Sequence, residues 1–444
     1  MHALQTSGNC IRNVTADHFA GAAADEAADP RPYAEILRQW SSVHPEFSYL
    51  PRKFKIAVTG AARDRAAIQV HDIGLHLKKN EAGELGFAVY VGGGQGRTPL
   101  IAKKIRDFLP EQDLLAYATA ILRVYNLHGR RDNKFKARIK ILVHETGTEE
   151  LTRWVEQEFE ALKGGNLTLP EADIDAIRAY FAPPALPARP EGEAAVRQAV
   201  LDSRGFAAWL RRNVTTHKHP DYAAVTISLK GTGEAPGDAS DAQMEAVADI
   251  AEAFAFDEIR VSHEQNLILP HVARADLKAV YDRLVAAGLA AANAGLITDI
   301  IACPGLDYCA LANARSISVA QDISQRFASL ERQEEIGELK LKISGCINAC
   351  GHHHVGHIGI LGVEKKGEEL YQVTLGGSGD ENSAIGEIVG RGFSAEEITD
   401  AIETIVETYL ALREGREETF LAAYRRLGAA PFKQALYGSE SKAA

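Results

Sequence analysis

The fold of this chain depends on two cysteine segments: CPGLDYC at residues 303–309 and SGCINACGHHHVGHIGILG at residues 344–362. Their four cysteines are spaced C-x5-C, then a 36-residue gap, then C-x3-C, whereas Cys10 stands alone. Close pairs of thiolates suit either tetrahedral zinc or an iron–sulfur cluster. Structural zinc sites usually have about two to four residues between paired ligands. The longer first spacing therefore favours a cluster, with zinc or unliganded buried cysteines as the alternatives.

An internal repeat surrounds these segments. The stretches LPRKFKIAV, HDIGL and FAVYVGGGQG in the first part of the chain return in the same order as GELKLKISG, GHIGIL and LYQVTLGGSG. Lys55 to Gly74 is 19 residues, and Lys342 to Gly359 is 17. Each copy is followed by an amphipathic helix, EQDLLAYATAILRVYNLHG and AEEITDAIETIVETYLALRE. The sequence therefore predicts two α+β units of common ancestry.

Overall composition limits the kinds of partner. The 444 residues carry a formal net charge of -11, which excludes general binding to nucleic acid or anionic membranes because both require a basic surface. The start, MHALQTSGNC, has no apolar signal region, and no long uncharged apolar run follows. Five cysteines are too few for a disulfide scaffold in a chain of this length. We therefore expect a cytoplasmic protein with reduced thiols.

The two runs CPGLDYCALANA and SGCINACGHHHVGHIGILG resemble the signature of the sirohaem-dependent sulfite and nitrite reductases, and the resemblance extends from about Thr6 to about Arg413. It implies a [4Fe–4S] cluster and a sirohaem as cofactors. It further implies that the cluster ligands are Cys303, Cys309, Cys346 and Cys350, and that Cys350 is also the axial ligand of the sirohaem iron.

The same resemblance implies an α+β fold in which two homologous reductase domains are related by a pseudo-two-fold repeat, with one ferredoxin-like half-domain between them. The predicted boundaries are 1–165 for the first repeat, 166–200 for a Pro-rich linker, 201–292 for the half-domain, 293–430 for the second repeat and 431–444 for a tail. Within the half-domain, YAAVTISL and EIRVSHEQNLIL read as single strands, and helices are expected from Asp241 and over ADLKAVYDRLVAAGL.

For activity, the resemblance implies the six-electron reduction of sulfite to sulfide, with electrons from a ferredoxin or a flavoprotein subunit. Arg12, Lys53 and Lys55 fall where the family places its anion-binding residues. Alternation in a strand puts Lys53 and Lys55 on one face. Family members that reduce nitrite tend to read K-W-N where this chain reads Lys-Phe-Lys, so sulfite is the expected substrate. A nitrite reductase and an inactive, truncated cofactor-binding chain are the alternatives.

Sirohaem carries carboxylates around its rim, and these require basic and amide partners. The basic run HGRRDNKFKARIK is the counterpart of a region that contacts sirohaem in the family, although such a run alone more often forms a solvated face. A second metal at GHHHVGH is a weaker hypothesis, because a cubane on neighbouring thiolates leaves little room for it. The expected cofactor contacts are Arg130, Arg131, Lys134, Arg138, Asn348 and Gly93.

The repeat also predicts that a unit is missing. A mixed unit from about Phe206 to about Leu289 precedes the second repeat, whereas the first repeat begins almost at once, with Arg12 already in place. By symmetry we expect an absent leading unit of roughly 90 residues, with Met1 as an internal start or fragment boundary.

Overall fold

The computed structural model describes residue 5 and residues 7–438. Two compact units can be recognised and are described separately: unit 1 comprises residues 1–94, 98–186 and 379–383, and unit 2 comprises residues 95–97, 187–378 and 384–444. Met1 and Thr6, at the start of the predicted first repeat, lie outside the described residues, as do residues 439–444 of the predicted tail.

Unit 1 contains a five-stranded sheet in the order β1-β2-β3-β4-β5. The first three strands are parallel, and β3, β4 and β5 are antiparallel to one another in turn. Alternate residues Phe54, Ile56 and Val58 of β2 enter the core, which also contains buried aromatic side chains of α2. The elements are β1 (Ile11–Ala16), α1 (Arg31–Ser41), β2 (Phe54–Thr59), β3 (Ile73–Lys79), β4 (Leu85–Val91), β5 (Lys103–Pro110), α2 (Leu114–His128), α3 (Ile139–Thr146), α4 (Thr148–Leu162) and α5 (Glu171–Tyr180).

The first part of unit 2 is a four-stranded antiparallel sheet in the order β6-β7-β9-β8, with helices packed on it. Ser240 and Gln243 form a capping box that starts α8 next to Asp241, where the sequence predicts a helix. The elements are α6 (Gly192–Asp202), α7 (Arg204–Asn213), β6 (Val214–Thr216), β7 (Tyr222–Ile227), α8 (Asp241–Phe254), β8 (Arg260–Val261), β9 (Leu267–Ala273) and α9 (Leu277–Ala286).

The second part of unit 2 repeats the sheet of unit 1, with order β10-β11-β12-β13-β14 and the same parallel and antiparallel pairings. Among all helices in the described part of the chain, none is long and apolar enough to cross a membrane. The elements are β10 (Ile301–Ala302), α10 (Gly305–Tyr308), α11 (Ile317–Arg326), α12 (Leu330–Ile336), β11 (Leu341–Ser344), β12 (Ile358–Lys365), β13 (Glu368–Leu375), β14 (Glu387–Ile388), α13 (Ile398–Leu412), α14 (Phe420–Leu427) and α15 (Ala430–Tyr437).

Strand register fixes how the two copies correspond. Ile56 of β2 lies opposite Ile73 of β3, and Leu341 of β11 lies opposite Ile358 of β12. Because Ile73 and Ile358 begin equivalent strands, Lys55 corresponds to Lys340. The internal repeat of the sequence predicts instead that Lys55 corresponds to Lys342. The two-residue shift accounts for the unequal spacings of 19 and 17 residues.

Three local predictions differ from the structure. The segment 258–269 is a hairpin of β8 and β9, because Gln265 at φ 57° turns the chain between them. The predicted linker 166–200 contains α5 and most of α6; Pro170 stands just before α5, where proline is tolerated, and Ile174 is buried. The predicted tail begins within α15, whose Phe432 is fully buried in the core of the second sheet.

Candidate functional site

The second sheet brings the first cysteine of each pair to the same end of two neighbouring strands. Strands β10 and β11 are parallel, with Ala302 opposite Ile343, so the chain leaves both strands at the same end of the sheet. Cys303 follows β10 directly, and its backbone N–H donates to the Ile343 carbonyl oxygen across 3.1 Å. Cys346 comes two residues after β11 ends. Strand pairing therefore brings together segments that are distant in sequence.

The sulfur of Cys303 accepts a hydrogen bond from the second cysteine segment. The backbone N–H of Gly345 donates to Cys303 Sγ across 3.0 Å. The buried Ser316 hydroxyl donates to the Cys303 carbonyl oxygen and lies 3.7 Å from the same sulfur. A backbone donor of one cysteine segment is thus directed at the sulfur of the other.

Close backbone contact joins the two cysteine segments and requires a glycine. The Gly345 carbonyl oxygen accepts the N–H groups of Asn313, at 2.7 Å, and Ala314, at 3.1 Å. A Cβ atom at position 345 would lie 2.6 Å from the Ala314 carbonyl oxygen and 2.9 Å from Gly305 Cα. Any side chain there would push the segments apart.

The residues from Cys346 to Cys350 form a tight turn. The Ala349 N–H donates to the Cys346 carbonyl oxygen across 3.2 Å, and Ala349 has the left-handed φ of 58° that few non-glycine residues adopt. The Gly351 N–H donates to Ser344 Oγ across 3.1 Å. Cys346 is buried in this turn, whereas Cys350 is exposed. Cys350 is therefore the more accessible thiol of the pair.

The histidines of the GHHHVGH run are held by the fold. Within residue 5 and residues 7–438, no group of three or more His, Cys, Asp or Glu side chains is arranged to hold one. In the GHHHVGH run, His353 is fully buried and His354 Nε2 lies 3.0 Å from the Gly96 carbonyl oxygen. A cubane cluster, by contrast, takes its four thiolates at four separate iron corners.

Unit 1 gathers the predicted anion-binding residues. Lys55 lies in β2 opposite Asn13, the neighbour of Arg12 in β1. Burial lowers the pKa of Lys53. The positive charges of Arg138, Lys55 and Arg12, in that order, lower the same pKa further. The fold therefore brings these cations close enough to repel one another.

A buried carboxylate, Asp72, organises this group of cations. Its Oδ1 accepts hydrogen bonds from Arg138 at 2.7 and 2.9 Å, and its Oδ2 accepts the backbone N–H of Lys55 at 2.8 Å. The Asp72 side chain is 0% exposed. Asp72 was not among the predicted site residues. Its only sequence signal is the acid in HDIGL, where the second copy has His357.

Lys140 is a second residue that the predicted site set omitted. Its Nζ donates to the carbonyl oxygens of Thr98, at 2.5 Å, and Gly94, at 3.4 Å. Burial and then the charge of Arg138 lower the pKa of Lys140 to about 8. Lys140 belongs to the HGRRDNKFKARIK run, so the run itself was the available signal.

The other members of that basic run lie apart from Asp72. Arg130 forms an ion pair with Asp132 at 2.7 Å, and Arg131 donates to the Tyr49 carbonyl oxygen at 3.0 Å. Lys134 is exposed. Of the predicted rim contacts on the run, Arg138 alone, among the described residues, bonds to Asp72.

Asn348 and Gly93 are the remaining predicted cofactor contacts. Asn348 is exposed on the turn between the last two cysteines. Gly93 is buried, and a Cβ there would lie 2.3 Å from the Gln69 carbonyl oxygen and 2.6 Å from that of His71. Close packing of the chain on itself is therefore sufficient to require glycine at position 93.

The first sheet has an ion pair where the second has cysteines. Ala16 pairs with Val58 as Ala302 pairs with Ile343, so Asp17 takes the place of Cys303. Arg65 lies as many residues after Ile56 of β2 as Cys350 lies after Leu341 of β11. Arg65 therefore takes the place of Cys350. Arg65 Nε donates to Asp17 Oδ2 across 2.8 Å, and both side chains are largely buried.

Comparison with known proteins gives family matches over most of the chain. Residues 7–163 and 294–442 match the family model described as the nitrite and sulphite reductase 4Fe-4S domain. Residues 216–287 match the nitrite/sulfite reductase ferredoxin-like half domain. Together these matches include both sheets of the repeat and most of the sheet between them.

Some relatives are named as sulfite reductases and others as nitrite reductases. "Sulfite reductase [ferredoxin] 1" of Mycolicibacterium paratuberculosis is 26% identical over 434 residues, which are 94% of this chain and 70% of the relative. "Assimilatory ferredoxin-dependent nitrite reductase" of Haloferax mediterranei is 28% identical over 428 residues, 91% of this chain and 66% of the relative. The solved structure of Mycobacterium tuberculosis NirA protein matches with a TM-score of 0.75 at 24% identity, covering 96% of this chain and 72% of that one. The last match confirms the predicted α+β fold.

Proposed function

The chain belongs to the nitrite and sulphite reductase family, and on that premise we propose that it reduces sulfite to sulfide. It is an oxidoreductase of the sulfite/nitrite reductase type. The choice of sulfite is supported by one feature of unit 1: Lys53 lies among other cations, Lys55 included, whose charges lower its pKa.

The cofactors of the chain are a [4Fe–4S] cluster and sirohaem, which when bound supply the electron transfer and the reducing centre. The cysteines fit this role, since Cys303 and Cys346, the first of each pair, follow neighbouring parallel strands at the same end of the sheet. The Gly345 N–H at Cys303 Sγ supplies the kind of hydrogen bond that tunes a cluster. We propose that Cys303, Cys309, Cys346 and Cys350 would hold the cluster and that Cys350 would also bind the sirohaem iron.

Anion charge is the basis of the preference for sulfite. An anion bound among Arg12, Lys53 and Lys55 relieves their repulsion, and a dianion relieves more of it than a monoanion. Asp72 cannot neutralise all of them, because it carries at most one negative charge and already accepts hydrogen bonds from Arg138. Excess positive charge therefore remains for the substrate.

Protons for the reduction can come from the same residues. Oxygen leaves sulfite as water, so the site must donate protons as well as bind charge. A lysine whose pKa is lowered gives up its proton more readily near neutral pH than an ordinary lysine does. Burial and neighbouring cations put Lys53 in that condition. We assign proton donation to Lys53 and anion binding to Arg12 and Lys55.

The electron donor in this proposal is a ferredoxin. The curated relatives are named as ferredoxin-dependent enzymes for both sulfite and nitrite. We also propose the reducing cytoplasm as its location, because five cysteines are too few for a disulfide scaffold in a chain of this length.

Steady-state kinetics with reduced ferredoxin test the proposal. The protein, purified anaerobically with its cofactors, should give a higher kcat/KM for sulfite than for nitrite. A higher value for nitrite would establish the alternative, ferredoxin-dependent nitrite reduction, which the name of the Haloferax relative favours. Turnover of neither anion by a fully loaded protein would leave an inactive cofactor-binding chain.

A further inference from the structure

His354 ties a short segment of unit 2 to the region of the cysteine turn. Its Nε2 lies 3.0 Å from the carbonyl oxygen of Gly96, so Nε2 carries the proton and donates. The His354 ring lies against His353, with ring centroids 3.9 Å apart, and its backbone oxygen accepts the N–H of Gly386 at 2.8 Å. Ring and backbone are thus both fixed.

Gly96 lies over the turn that carries the last two cysteines. A Cβ on Gly96 would be 3.7 Å from the carbonyl oxygen of Ile347, in ordinary contact distance. Ile347 stands between Cys346 and Cys350, and its side chain is 46% exposed. The His354 bond therefore holds the segment Gln95–Arg97 against a turn that is otherwise partly open.

Unit 1 contains the equivalent bond made by a different side chain. Gln69 is the middle residue of the 3-10 turn Ile68–Val70, as His354 is of His353–Val355. Gln69 Nε2 donates to the Glu381 carbonyl oxygen across 3.0 Å. A glutamine at this position can therefore fasten a loop as histidine does, but the preceding turn of unit 1 contains no cysteine.

We propose that His354 is a positioning residue for the cluster: by holding Gln95–Arg97 over the Cys346–Cys350 turn, it slows the opening of that turn and the loss of iron. The inference rests on the proposed cluster ligands. It requires only the donor at Nε2, so a glutamine should replace the histidine.

The experiment compares the holoprotein with His354→Ala, His354→Gln and the matched control Gln69→Ala. Iron and sulfide release is followed anaerobically under an iron(II) chelator, and amide hydrogen exchange is followed at residues 95–97. His354→Ala should accelerate both about fivefold, the factor expected for one lost hydrogen bond. His354→Gln should match the unmodified protein. Gln69→Ala should accelerate exchange at residues 379–383 and leave iron release unchanged.

Unchanged iron release in His354→Ala would overturn the inference, as would equally rapid release in Gln69→Ala. If His354→Ala does not yield soluble protein, His354→Gln decides. Normal iron retention in His354→Gln supports the inference that the hydrogen-bond donor is sufficient. Rapid iron loss in His354→Gln refutes it. Failure of the unmodified protein to reduce sulfite would contradict the proposed substrate without affecting the release comparison. Absence of any cluster from it would contradict the ligand assignment itself.

Discussion

Arg65 donates a hydrogen bond from Nε to Asp17 Oδ2 across 2.8 Å, at the two positions that Cys350 and Cys303 occupy in the second sheet. The Asp17 side chain is 1% exposed and that of Arg65 is 15% exposed. Arg65 also forms an ion pair with Asp25 at 3.0 Å. In unit 1 the protein's own charges thus connect these positions, whereas in unit 2 the proposed cluster would connect the corresponding thiols.

Removing that link should destabilise unit 1. Arg65→Ala leaves the buried Asp17 carboxylate without its cation, which we expect to lower the free energy of unfolding by about 3 kcal/mol. Hydrogen exchange of the β1 and β2 amides measures this locally. Arg153→Ala is the control, because its ion pair with Glu150 is exposed and should contribute less than about 1 kcal/mol. Equal effects of the two substitutions would show that the buried pair has no special role.

Cys350→Ser should impair the cofactors more than loss of any other single cysteine. In the proposed arrangement it removes a cluster ligand and the axial sirohaem ligand together. Iron, sulfide and sirohaem contents measured after anaerobic purification should all fall, whereas Cys10→Ser, outside both cysteine segments, should retain them. Normal sulfite turnover in Cys350→Ser would contradict the assignment of Cys350 to both cofactors.

Lys55→Asn should shift the preference between anions. The substitution removes one positive charge, so kcat/KM for sulfite should fall by about two orders of magnitude, as for loss of one preorganised charged donor. The value for nitrite should fall less. Lys79→Asn, at an exposed position of the same unit, should change neither. Equal losses for sulfite and nitrite would assign Lys55 a structural or proton-donating role without anion selectivity.

The pH dependence of sulfite reduction should reflect Lys53. The Lys53 amine must be protonated to donate a proton, and burial and neighbouring cations lower its pKa. Activity should therefore decline on the alkaline side at a lower pH than an ordinary lysine would give. Lys53→Arg keeps its charge to higher pH, so any remaining activity should persist further into the alkaline range. An alkaline limb that does not move in Lys53→Arg would exclude Lys53 as its origin.

The sequence was sufficient for features that depend on local pattern. Alternating apolar residues predicted strand β2, and apolar residues at every third or fourth position predicted helix α2. Both predictions succeed because burial of one face of an element gives a regular spacing of apolar residues in the sequence. The repeat predicted two similar sheets, and the structure has two with the same strand order. Residues 258–269, however, were predicted as one strand and form a hairpin, because the left-handed turn at Gln265 carries no glycine that would mark it in the sequence.

By itself the sequence determined the cysteine pairs, the repeated α+β units and the basic character of the segment 53–55. Tertiary structure alone decided that Asp72 binds Arg138, that Arg65 pairs with Asp17 and that His354 reaches Gly96. Each of these contacts joins residues far apart in the chain. These contacts depend on the register of the parallel strands and on the path of the loops. A two-residue shift in register would change the contacts but would leave the same side chains facing the core, so the pattern of apolar residues does not reveal it.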